Sequence, residues 1–208
     1  MYFIKRNIAN SITLLNLLCG LIAILYAFGG HLNIAASFIA LGITLDFLDG
    51  MIARALKINS NLGKQLDSFA DLITFGVAPS IIIFQLIYYT ESGIFFNPFD
   101  DWMNKNIYSE NYWIYTAFLI PIFSSLRLAR FNIDDNTKDE FIGLPTPANA
   151  LFFISIPLMM TFQKGSLITQ WISQTHILII LCFIMSILLI SKISLFTLKF
   201  YTFNWDNN

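Results

Sequence analysis

Six apolar stretches, at roughly 10–29, 32–55, 68–90, 112–131, 148–163 and 175–198, occupy most of this 208-residue chain. About 20 consecutive apolar residues is the length at which a helix crosses a bilayer. In hydrocarbon every backbone N–H and C=O must be paired within the protein, and a helix does this segment by segment. The expected fold is therefore all-α and integral to a membrane: a six-helix transmembrane bundle forming one membrane-embedded domain over residues 1–208. With 56% hydrophobic and 12% charged residues, the chain is too apolar for a soluble domain of ordinary make-up. The net charge of −1 lacks the basic excess that binding to nucleic acid requires. The first stretch is too long, and too free of a small-residue cleavage pattern, to be a removed signal peptide, so the chain is expected to keep its N-terminus.

Basic residues orient the bundle. With the N-terminus in the cytoplasm, Lys5, Arg6, Arg54, Lys57, Lys64, Arg127, Arg130, Lys138, Lys192 and Lys199 fall inside, and only Lys105 and Lys164 fall outside. Setting aside the three arginines with a catalytic reading leaves the same bias. Cys19 and Cys182 stand alone in apolar runs, without metal-ligand or disulfide spacing, and read as buried small side chains. His31 and His176 read as interfacial residues.

Against this background four aspartates are out of place. Asp46 and Asp49 lie in the second apolar stretch, Asp67 and Asp71 at the start of the third. A carboxylate at mid-bilayer costs about 3 kcal/mol on insertion scales, so four together call for a compensating partner. At about 100° per residue, Asp46, Asp49, Gly50 and Ala53 share one helix face, and Gly63, Asp67 and Asp71 share another. The short polar turn from Lys57 to Asn61 lets the two faces meet as an antiparallel hairpin. Oxygen-only ligation, without His or Cys, favours a hard divalent cation: Mg²⁺, Mn²⁺ or Ca²⁺. Gly50, Ala53 and Gly63 remove bulk beside the acids; in isolation helix packing would be the preferred explanation, and their spacing with the acids reverses that preference. Arg54 can offer a forked donor to phosphate, or snorkel to the headgroups.

The stretch Asp46-x-x-Asp49-Gly50-x-x-Ala53-Arg54, eight residues, Gly63-x-x-x-Asp67-x-x-x-Asp71 resembles the signature of the CDP-alcohol phosphotransferases at every defined position. The resemblance implies a membrane enzyme with a six-helix core, which displaces CMP from a CDP-linked alcohol by the hydroxyl of a second alcohol. It implies divalent cations, Mg²⁺ or Mn²⁺ and two in number, held by Asp46, Asp49 and Asp67. Asp71 is then a further ligand or the general base. Metal-assisted displacement suits the chemistry, because negative charge develops on the leaving phosphate and the attacking hydroxyl must lose a proton.

Further segments are similar to the phosphatidylserine synthase branch of that family. They are Thr13-Leu-Leu-Asn16, Lys64 to Asp67, Phe75-Gly76-Val-Ala-Pro79, Arg127-Leu-Ala-Arg130-Phe-Asn132 and Gly143-Leu-Pro-Thr-Pro-Ala-Asn149. The implied partners are CDP-diacylglycerol, L-serine, the product CMP and membrane lipids, in a bacterial or archaeal cytoplasmic membrane with the site facing the cytoplasm; a homodimer is compatible. On this likeness Gly50, Arg54 and Gly63, with Asn16, Thr13 and Lys64, would hold the nucleotide. Arg127 and Arg130, three residues apart, can point into one cavity and hold the serine carboxylate and a lipid phosphate, with Asn132 near the headgroup; a basic collar is the plain alternative. Pro145 and Pro147 can stiffen a loop over the pocket.

Two other readings use the same residues. A phosphatidylglycerophosphate or phosphatidylinositol phosphate synthase shares the catalytic set but asks for a larger basic pocket for its phosphorylated acceptor. A cation transporter also carries intramembrane carboxylates, but toward the midplane between broken helices, whereas these acids sit beside Arg54, Lys57 and Lys64. The aromatic tail after Lys199 departs from relatives expected to continue into further hydrophobic spans.

Overall fold

The computed structural model describes residues 2–56, 60–98, 112–133, 143–163 and 165–191, with only the backbone of residues 2–8. The described residues are helical, with no strand among them. Helix α1 (Tyr2–Phe28) turns through Gly29 and Gly30 into α2 (Leu32–Ala55). Gly30 adopts φ +74°, His31 N–H donates to the Tyr26 carbonyl at 2.9 Å and Gly30 N–H to Ala27 at 3.0 Å. This left-handed cap satisfies the last carbonyls of α1 and reverses the chain. Next, α3 (Asn61–Asp71) passes through a π-helical turn (Leu72–Val77) into α4 (Ala78–Ser92). They make one helical stretch, Asn61–Ser92, which is the most enclosed part of the bundle.

The fourth apolar stretch opens as a 3₁₀ segment, Tyr112–Phe118, and becomes α5 (Leu119–Ile133). Pro121 has no N–H to return to Ala117, which removes an α-type bond where the two forms join. After it come α6 (Thr146–Phe162), the short α7 (Leu167–Ile172) and α8 (Thr175–Ile190). Pro145 caps α6 and Pro147 lies in its first turn, so these prolines start a helix where a stiff covering loop was expected.

Four described stretches are long and apolar enough to cross a membrane: Ala9–Phe28, Leu32–Ala55, Asn61–Ser92 and Tyr112–Ile133. The fifth and sixth apolar stretches correspond to the shorter helices Thr146–Phe162 and Thr175–Ile190. The expected six full-length spans are therefore not confirmed: among the described residues there are four long helices and two shorter apolar ones, and α7, whose six residues are too few to leave a periodic signal, was not anticipated. Lys57, Lys105, Lys138, Lys164, Lys192, Lys199 and the aromatic tail lie outside the described residues, as do the side chains of Lys5 and Arg6.

The core is built around α4, from Ala78 to Tyr88, packed by Ala23, Ala27, Ala35, Ala36 and Ile39 of the first hairpin and by Phe153 and Ile156 of α6. Alanines on α1 and α2 let the backbones come close, as small residues do between membrane helices. Large apolar residues such as Leu25 and Phe47 stay outward, the arrangement suited to a lipid solvent.

Gln85 is the one amide inside α4, and it is fully buried. Its Nε2 donates to the Phe96 carbonyl at 2.8 Å, and its Oε1 accepts from Phe96 N–H at 2.9 Å. The side chain thus serves as a second strand would, closing the segment after α4 onto the core. Gln85→Leu keeps the volume but strands both Phe96 groups, and should destabilise the protein by about 2 kcal/mol, read as a lower melting temperature in detergent or nanodiscs.

Candidate active site and metal centre

Three helix faces with the same seven-residue register converge near the end of the bundle that carries Arg54 and Lys64. On α1 the face is Thr13, Asn16 and Gly20; on α2 it is Gly42, Asp46 and Asp49; on α3 and the π-turn it is Asp67, Asp71 and Thr74. Steps of three and four residues keep each set on one side of its helix. Because α2 runs antiparallel to its neighbours, Thr13 is brought to Asp49, and Gly20 and Gly42 to Thr74.

The contacts follow this order. Thr13 is buried, and its hydroxyl donates to Asp49 Oδ2 at 2.6 Å. One carboxylate oxygen from each of Asp46, Asp49 and Asp67 lies within 4.8 Å of the other two. Asp46 is within hydrogen-bonding reach of both Asp67 and Asp71. Asp71 is buried, and its Oδ1 has no hydrogen-bond partner. Asn16, fully buried in the same tier, also has both amide atoms unpartnered.

A divalent cation fits this set. The donors are all carboxylate oxygens, they converge from two helices, and a buried oxygen on Asp71 remains unsatisfied beside them. Among the described residues, the half-buried Arg127 of α5 is within electrostatic reach of Asp71. Its Nη1 donates to Thr146 Oγ1 at 3.4 Å, and its Nε is buried without a partner. Thr146, which anchors this arginine, lies in the Gly-Leu-Pro-Thr-Pro-Ala-Asn segment but carried no role in the sequence reading.

The remaining candidates divide. Gly50 faces open space, since a Cβ there would meet nothing within 4 Å. Gly63 does not: a Cβ would lie 2.8 Å from Ser60 Oγ and 3.3 Å from Asn10 Oδ1. Ser60 caps α3 by accepting from Gly63 N–H at 3.0 Å, so Gly63 serves close packing and a cap. Arg54 is exposed and folds back, its Nε donating to the Gly50 carbonyl at 3.1 Å. Lys64 Nζ donates to the Asn132 carbonyl at 3.0 Å, and Asn132 Nδ2 donates to Ser68 Oγ at 2.8 Å. Lys64, Ser68 and Asn132 therefore latch α3 to the last turn of α5. Arg130 is exposed, so the two arginines expected in one cavity part company, Arg127 turning inward and Arg130 outward.

The polar residues missed in the sequence lie on the Arg127 side of the acids. Ser124, Thr146 and Asn149 are all buried, and Ser124 Oγ and both Asn149 amide atoms lack partners. Small polar residues within otherwise apolar stretches were the available signal.

Residues 6–198 match the family described as CDP-alcohol phosphatidyltransferase. The chain belongs to that family. Among similar curated proteins, the CDP-diacylglycerol–serine O-phosphatidyltransferase of Bacillus subtilis (strain 168) is 40% identical over 136 residues, covering 65% of this chain and 67% of the relative. The protein of the same name from Mycobacterium leprae (strain TN) is 34% identical over 191 residues, covering 88% of this chain and 56% of the relative. That of Methanocaldococcus jannaschii is 35% identical over 156 residues, covering 74% and 63%. The chain thus spans between about half and two thirds of the length of these relatives. Three of the four aspartates in the signature stretch, Asp46, Asp49 and Asp67, form a cluster that could hold a metal ion.

The two signature glycines should respond oppositely to a methyl group. Gly50→Ala adds helix propensity, about 1 kcal/mol, into open space and should raise the melting temperature. Gly63→Ala pushes Ser60 off its cap, worth about 1 kcal/mol, and should lower it. Thermal denaturation of the two variants checks both signs.

Proposed function

We propose that this protein transfers the phosphatidyl group of CDP-diacylglycerol to the hydroxyl of L-serine, forming phosphatidylserine and CMP. The observation that carries the reading is the convergence of Asp46, Asp49 and Asp67 in a chain whose similar curated proteins bear the name CDP-diacylglycerol–serine O-phosphatidyltransferase. The whole chain acts as one catalytic domain, a six-helix bundle in the cytoplasmic membrane of a bacterium or archaeon. Its acid-bearing end faces the cytoplasm, where CDP-linked lipid headgroups and free serine are both within reach.

Asp46, Asp49 and Asp67, with Asp71 at the edge, would hold divalent cations, Mg²⁺ or Mn²⁺ and two of them. When bound, these ions supply charge neutralisation at the pyrophosphate and stabilise the CMP leaving group. The serine hydroxyl oxygen attacks the phosphorus bearing the diacylglycerol. As that P–O bond forms, Asp71 Oδ1, buried and without a partner, takes the hydroxyl proton. The bond to the bridging oxygen breaks, and its electron pair leaves with CMP. Direct transfer suits a site whose only nucleophiles are carboxylates.

Thr13 holds Asp49 in place through its hydroxyl. Gly50 leaves room for the nucleotide, with Arg54 and Asn16 beside it; Gly63 and Lys64 contribute by fixing α3 at the rim. Arg127, turned toward Asp71 and Thr146, binds the serine carboxylate, while Arg130, on the exposed side, meets the lipid phosphate. Asn132 sets the height of that arginine pair by its bond to Ser68.

Purified protein with Mn²⁺ and CDP-diacylglycerol should release CMP when L-serine is added, and not with glycerol 3-phosphate. The reverse preference overturns the acceptor assignment. Asp71→Asn should abolish turnover yet still bind CDP-diacylglycerol. Arg127→Lys should raise the KM for serine on the order of tenfold and leave that for the lipid nearly unchanged, because an ammonium cannot reproduce a forked bond to a carboxylate.

A further inference from the structure

Beneath the acids the same three helices meet once more, this time without charge. Thr74, in the π-turn, is fully buried between Gly20 of α1 and Gly42 of α2. A Cβ on Gly20 would lie 2.5 Å from Thr74 Oγ1 and 2.8 Å from its Cα; one on Gly42 would lie 2.6 Å from Thr74 Cγ2. The Thr74 hydroxyl donates to the Asn16 carbonyl at 3.0 Å. Thr74 therefore touches both neighbouring helices, through different atoms, at a place where each has only a glycine.

The position gives the contact its meaning. Thr74 is three residues beyond Asp71, and Gly42 is four residues before Asp46, so each is the next residue on the acid-bearing face of its own helix. A π-turn breaks the regular ladder immediately after Asp71, and such turns recur at functional sites. Without an anchor, the rotation of Asp67 and Asp71 about their helix axis would be loosely set.

We propose that Thr74 is a positioning residue of the cation site: wedged between Gly20 and Gly42 and bonded to the Asn16 carbonyl, it fixes how far Asp67 and Asp71 stand from Asp46 and Asp49. This rests on the metal-site reading given above. The hydroxyl bond carries most of the role. Serine keeps the hydrogen bond but lacks the Cγ2 that fills the gap at Gly42, and valine fills the gap but cannot donate.

The test is a Mn²⁺ titration of the purified chain in nanodiscs, following the rise in melting temperature with metal alone, and the metal dependence of CMP release in parallel. Thr74→Val should move the Mn²⁺ midpoint up about tenfold, the usual scale for losing a group that orients ligands, while Thr74→Ser stays close to the parent. Gly42→Ala should also weaken Mn²⁺ binding, because its new methyl strikes Thr74 Cγ2 and, at 2.9 Å, Asn16 Oδ1. Adding Thr74→Ser to Gly42→Ala removes the first clash and should recover part of the midpoint. Gly20→Ala strikes the Thr74 backbone, and Thr74→Ser should not recover it. Thr74→Val with a lower metal-free melting temperature but an unchanged Mn²⁺ midpoint overturns the proposal, as does Gly42→Ala that Thr74→Ser does not improve. A parent protein no more responsive to Mn²⁺ than Asp46→Asn would instead overturn the metal-site reading, and this inference with it.

Discussion

Four carboxylates gathered inside an apolar bundle repel one another and lose their water, and the arrangement of α1, α2 and α3 is what makes that tolerable. Each of the three helices contributes one polar face only, with its residues spaced so that they stay together along a crossing of about two turns. Thr13 donates to Asp49 at the top, Asp46 reaches both Asp67 and Asp71 in the middle, and Thr74 closes the bottom against Gly20 and Gly42. Outside this line, α1 and α2 turn large apolar residues such as Leu25 and Phe47 outward. The acids can therefore share a cation without opening the rest of the bundle to water.

The two ends of the molecule treat buried polar groups differently. Away from the acids they are matched by the protein: the buried Gln85 pairs with Phe96, and the part-buried Thr161 with Asn33. Near the acids they are left open, as with Asn16, Asp71, Asn149 and the Nε of Arg127. An unmatched buried polar atom costs on the order of 1–3 kcal/mol, so several of them at one end mark a surface completed by something other than the chain. Structure at one end and binding at the other share the central helix, with the π-turn between them.

Much of this was legible in the sequence, and the reasons differ by element. Long apolar stretches gave α1, α2 and the Asn61–Ser92 stretch because the length of a span is a property of composition. The acid faces followed from helical periodicity, which is why Asp46, Asp49 and Asp67 converge as expected. Periodicity says nothing about how far a helix is rotated, and so Arg127 and Arg130, neighbours on paper, point inward and outward. Lys64 looked like a phosphate ligand because it stands beside the acids; its partner, the Asn132 carbonyl, is a backbone group that no side-chain pattern could reveal. The π-turn is equally silent, since Leu-Ile-Thr-Phe-Gly-Val reads as ordinary helix until Thr74 is seen locked against two glycines.

Charge balance bears on how many ions such a centre would take. With a cation bound and all four aspartates ionised, Arg127, the inward arginine among the described residues, would leave an excess of about three negative charges, and a lipid-linked pyrophosphate would bring about two more. One divalent ion leaves that assembly strongly negative in a medium of low dielectric, where the penalty for net charge is large. Two divalent ions bring it to within about one charge of neutral. In the proposed mechanism, then, the pair of ions and Arg127 act as one electrostatic unit. On that proposal the spacing of the two acid-bearing helices would set how the unit meets the pyrophosphate, and the uncharged floor at Thr74 would hold that spacing.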